Sequence, residues 1–152
     1  MRKLAIAAVF LLLPLATFAQ SATDVDKSID ANLGDHTQYQ ALFTSLQKSV
    51  AAHDAAAVAA LVRYPITIKI KGHATTIRTP QQFIASYDQI FTPAITKAVT
   101  GQKYADLFVN YKGIMFGNGQ VWLNGICKDP KDTSCKVFTA KVVTIQDTSD
   151  IQ

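Results

Sequence analysis

The chain has 152 residues, 15 lysines and arginines against 11 acids, and a formal net charge of +4. That length supports one domain with a real hydrophobic core. The basic residues are scattered, with no run that could hold many phosphates at once, which excludes a nucleic-acid patch.

Arg2 and Lys3 precede an apolar stretch over 4–15, and Thr17 and Ala19 put small residues where a signal peptidase reads. This layout predicts a secretory signal peptide over 1–19, with cleavage after Ala19. The apolar run is about twelve residues, whereas a spanning helix needs roughly twenty. No cysteine follows it and no later segment is long enough to span, so no membrane attachment is expected after cleavage. The mature protein is expected to be periplasmic or secreted. Removing Arg2 and Lys3 lowers the net charge to +2, which weakens any case for an acidic partner based on total charge. All eleven acids are aspartate, whose short arm suits caps and turns better than helix interiors.

Residues 20–36 are polar, and Val25, Ile29 and Leu33 recur every four residues. One weak helix and a flexible N-terminal arm are both compatible with that pattern. A single domain is expected over 37–152. Tyr39, Leu42, Phe43, Leu46 and Val50 fall on one helical face. Asp54 is placed to cap a short second helix with Val58, Leu61 and Val62 inward, ended by Tyr64-Pro65. The period then changes to two: Ile66, Ile68 and Ile70 alternate with Thr67, Lys69 and Lys71, which predicts a half-buried strand. Gly72 and His73 turn the chain into a second strand over 75–78.

Thr79, Pro80 and Gln82 form a helix start. Phe83, Ile84, Tyr87, Ile90, Phe91, Ile95, Ala98 and Val99 then cover half a long helix that Pro93 should kink or split in two. Three strands are expected after Gly101: 107–116 with a potential break at Gly113, then 120–127, then 135–146. Cys127 and Cys135 enclose seven residues between the last two strands. In an exported protein an even cysteine count implies a disulfide, here a staple across a hairpin end. The spacing is not the C-x-x-C of redox enzymes.

The fold class read from these elements is α+β, a curved, mostly antiparallel sheet wrapped around N-terminal helices and one long kinked helix. Two helices, a hairpin, a long helix and a three-stranded meander resemble the nuclear transport factor 2-like superfamily over 37–147. The stretches Val62-Arg63-Tyr64-Pro65-Ile66, Phe83-Ile84-Ala85-Ser86-Tyr87-Asp88-Gln89-Ile90-Phe91 and Gly113-Ile114-Met115-Phe116-Gly117-Asn118-Gly119-Gln120-Val121-Trp122 are similar to small exported bacterial members of unassigned activity. The resemblance implies a cone-like fold, and in some members an aspartate or histidine base reaching into the cone. Isomerase-type members carry that base near the first hairpin. Here the hairpin offers Lys71, Gly72 and His73 and no aspartate. A cystatin-like fold is the alternative, though it would open with one long helix.

Among ionisable residues, Asp88 lies at the margin of the apolar helix face. Pointing into a cavity, it would be desolvated and suited to proton transfer; pointing outward, it is a flank carboxylate. Phe83, Tyr87 and Phe91 are either core or, with Asp88, the lining of a pocket for a small apolar ligand. His36, His53 and His73 lack metal-ligand spacing, and no G-x-S-x-G is present, so neither a metal nor a cofactor is expected. On the strand at 121–123, either Val121 and Leu123 face the core and Trp122 faces out, or the reverse. An outward Trp122, with Lys128 and Lys131 of the stapled loop, would make a binding anchor.

The leading functional expectation is a non-enzymatic binding protein, an inhibitor or immunity-type protein with a protein partner in the periplasm. A small-molecule carrier or sensor is the alternative, and a proton-transfer enzyme using Asp88 is third. Homodimerisation through the open sheet face is implied by family analogy alone.

Overall fold

The computed structural model describes residues 20–148. The predicted signal peptide therefore lies outside the described residues. The first helix, α1 (Ala22–Asn32), takes the helical alternative for 20–36. Ser21 and Asp24 form a reciprocal capping box at its start, and Val25 and Ile29 are fully buried. The hydroxyl of Tyr104 donates to Asp26 at 2.7 Å and ties the outer side of the helix down.

Helix α2 (His36–Ala51) buries the five predicted residues, Tyr39, Leu42, Phe43, Leu46 and Val50. In α3 (Ala55–Leu61) the Asp54 carboxylate accepts from the Ala57 N–H, as a cap should. Val58 and Ala59 face inward, and the chain leaves α3 at Val62 in an extended conformation.

Strands β1 (Ile66–Ile70) and β2 (His73–Ile77) form the expected hairpin, but its turn is Lys71-Gly72 and His73 already belongs to β2. Its two-residue turn places both Lys71 (φ 49°) and Gly72 (φ 76°) in the left-handed region, which matches the twist of paired strands. The segment expected to be one long helix is three pieces: α4 (Pro80–Ala85), α5 (Tyr87–Ile90) and α6 (Pro93–Gly101). The break at Pro93 was anticipated. The additional one comes at Ser86, which leaves helical angles (φ −107°, ψ 7°). That bend lets Tyr87 stack on Phe91, with centroids 4.9 Å apart and 15° between planes, while Phe83 meets both rings edge-on. Core packing outweighs helix continuity here.

The 107–116 segment is two strands, β3 (Phe108–Asn110) and β4 (Gly113–Phe116), not one. The turn between them is local chemistry: the Asn110 side chain accepts from the Lys112 N–H at 2.8 Å, and Gly113 follows at φ 136°. A methyl at Gly113 would lie 2.3 Å from the Leu123 carbonyl oxygen. Strands β5 (Val121–Cys127) and β6 (Phe138–Gln146) complete the sheet. The Cys127–Cys135 disulfide closes the connection between them.

The six strands run in the order β2-β1-β6-β5-β4-β3, antiparallel except where β1 pairs β6. The architecture is α+β, with a curved, unclosed mixed sheet. Its inner face joins the helices in one core, where Phe43 stacks on Phe116 (5.2 Å, 22°) and meets Tyr104 edge-on. No charged or polar residue is buried among the described residues.

Candidate functional site

The predicted pocket residues are packed rather than open. Phe83, Tyr87 and Phe91 are buried in the aromatic cluster just described. Asp88 does not join them. Its side chain is 83% exposed and its carboxylate lies 2.9 Å from Nε2 of His53, itself 71% exposed. His53 in turn stands edge-on to Tyr87 at 5.0 Å. Asp88 is thus the flank carboxylate of the two readings, and the desolvated environment that proton transfer would need is missing around it.

Trp122 takes the outward orientation: Val121 and Leu123 are fully buried, and Trp122 lies on the sheet's outer face, half-buried. The register shows why this face is unusual. Phe108 pairs with Met115, Met115 with Trp122, and Trp122 with Thr144, so four strands contribute one continuous row. A register shift in β5–β6 at Trp122/Leu123 leaves Val143 as the extra, unpaired residue between Val142 and Thr144, and it lines the groove beside Trp122. Phe108, at the end of the row, is 51% exposed. Lys112, Trp122, Val143, Thr144 and Gln146 together line a shallow groove of about 280 Å³. Among the described residues Lys112 is the single charged side chain in that lining.

Lys128 and Lys131 are exposed on the stapled loop, as expected. They do not meet Trp122, however. Lys128 lies six positions along the chain from Trp122, about 20 Å at the usual strand rise. The expected single anchor therefore resolves into two surfaces at opposite ends of β5. Asp129 and Asp132 shape the loop by accepting from the N–H groups of Lys131 and Ser134, both at 2.9 Å. The bond from the Ser134 hydroxyl holds the Asp132 carboxyl below its ordinary value.

No family model matches the chain, and no curated protein or solved structure matches it.

Sequence reasoning missed Phe108, Met115, Val143 and Lys112 as surface partners of Trp122. The signal was present in Asn110 and Gly113, which bracket a turn. A break at that turn puts Phe108 on the same face as Met115. Among the described residues no group of His, Cys or Asp is arranged to hold a metal ion, and no helix is long and apolar enough to cross a membrane.

Proposed function

We propose that the chain is a non-enzymatic binding protein that docks a protein partner on the outer face of its sheet, with Trp122 at the centre of the contact. The carrying observation is the paired row Phe108–Met115–Trp122 on the sheet's outer face, with Val143 beside Trp122 in a groove whose lining includes no helical residue among the described ones. Soluble domains seldom expose such contiguous rows without use, and tryptophan is among the strongest interface anchors. Strands hold the row rigid, so little side-chain and backbone freedom is lost on binding. Lys112 at the groove favours a partner with an acidic rim around an apolar centre.

The inhibitor or immunity-type role and the periplasmic setting belong to this reading. They rest on the N-terminal sequence layout and on the disulfide, which fits an oxidising compartment. The nuclear transport factor 2-like, cone-like description is also part of it and rests on element order.

A photo-crosslinking residue placed at 122 tests the reading, with one at Thr76, on β2 away from the row, as control. A stoichiometric crosslink from 122 to one periplasmic protein, abolished by Phe108→Ala with Met115→Ala, is the expected result. Equal crosslinking from both positions, or none from 122, refutes it. A crosslink to a second copy would turn the reading into self-association.

A further inference from the structure

The β1–β2 hairpin extends past the helix that covers it. Burial along its inner face falls toward the tip: Ile66 is 2% exposed and Ile68 3%, but Ile70 is only half-buried. The cause is the shortness of α5, which ends at Ile90 before the chain turns away at Phe91 and Thr92. What remains is a cleft of about 240 Å³ between the hairpin and α5, with Ile68, Ile70, Ile77 and Ile90 as its apolar surface. The cleft is distinct from both the filled aromatic cluster and the outer face with Trp122.

Its polar groups are not random in sign. Lys71 and His73 stand at the hairpin tip, and Ser86 and Gln89 look in from the helix side. Among the described residues no carboxylate lines it. The turn fixes the position of Lys71, and the Ile70–His73 pairing sets the histidine on the inner face. A floor of isoleucines with the Lys71 ammonium and the His73 imidazole at its lip is complementary to an apolar chain that ends in an anion. The volume is slightly below the roughly 300–1,000 Å³ of drug-sized sites, so the occupant must be small.

We infer that this cleft binds a small amphipathic carboxylate, its hydrocarbon part against Ile68, Ile70 and Ile90 and its carboxylate at Lys71 and His73. The site is independent of the protein-docking face, and either can fail without the other.

Titration of the full chain with octanoate, followed by amide and isoleucine methyl NMR, tests it, with octanol as the uncharged comparator. Saturable shifts confined to Ile70, His73, Gln89 and their neighbours are expected, with octanol binding more weakly. Lys71→Asn combined with His73→Asn should weaken octanoate about three- to five-fold, the scale of exposed charge pairs, and leave octanol unchanged. Asparagine is chosen at 71 because it tolerates the left-handed conformation. Thr75→Phe, which sits on the inner face opposite Ile68, should fill the cleft and abolish binding; Gln89→Trp does the same from the helix side should the first variant not fold. Absence of saturable binding, shifts centred elsewhere, binding that survives the filled cleft, or octanol bound as tightly as octanoate would each overturn the inference.

Discussion

Replacing both Cys127 and Cys135 with serine should cost about 2.5 kcal/mol of global stability. The bond joins residues 8 apart in sequence. On the chain-entropy estimate, freeing a loop of about nine residues returns about 8.5 cal/mol/K to the unfolded chain, which is about 2.5 kcal/mol at 25 °C. The folded loop should change little, because Asp129 and Asp132 still accept from Lys131 and Ser134, and Lys128 N–H still donates to the Val137 carbonyl at 2.9 Å. For a domain of this size the loss corresponds to a fall in melting temperature of about 10 °C. Urea and thermal melts of the wild type, oxidised and reduced, and of the double-serine protein measure it. Amide exchange at Lys128 and Phe138 locates it. A global loss under about 0.5 kcal/mol, with rapid exchange at those two amides, would mean that the bond holds the native hairpin tip together. The unfolded-chain argument would then be wrong.

Gly113→Ala should destabilise by about 2–4 kcal/mol in denaturant titration, since φ is 136° and the added methyl meets the Leu123 carbonyl at 2.3 Å; Gly101→Ala, where a methyl meets nothing, should stay within about 1 kcal/mol. Thr79→Ala should cost about 1 kcal/mol by removing the acceptor for the Gln82 N–H at the start of α4, measured the same way. The Asp30–His36 pair should make melting temperature depend on pH. Hydrogen bonding to the Asp30 carboxylate raises His36 above its ordinary 6.5, so its contribution is complete below about pH 6.5 and fades as pH rises through the folded value. Bonds from the His36 N–H and ring lower Asp30 below 3.8, so its contribution is complete above about pH 3.8 and fades as pH falls through the folded value. The joint maximum lies between those limits, and His36→Asn should flatten its alkaline side. Asp88→Asn should leave the melting temperature unchanged, because both partners of its pair are largely exposed.

Periodicity carried most of the fold to the surface of the sequence. The helical face of α2 and the alternation in β1 were legible because each buries one side of a regular element. Two features were not. The bend at Ser86 has no local breaker of the strength of proline; it arises from three aromatic rings competing for one place in the core, a tertiary effect. The β3–β4 turn is half-legible through Gly113, whereas the Asn110 side-chain bond that sets it leaves no periodic mark in the sequence. Missing that turn hid the outer row, since Phe108 shares a face with Met115 only once the chain reverses between them. Strand alternation leaves two orientations for Trp122, and the neighbouring strands select the outward one. Asp88 shows the converse: a position on a helical wheel indicates an angle around the axis, and α5 is too short for that angle to mean much.

The parallel pairing of Ile68 with Ile145 brings together residues about half the chain length apart. The first hairpin therefore has no neighbouring strand until the final one has been synthesised, and β6 is wedged between β1 and β5 as the last piece placed. The sheet cannot be completed until β6 is available to both of its neighbours. This also means that deleting β6 (Phe138–Gln146) would release the β1–β2 hairpin from the β5–β4–β3 half of the sheet at once.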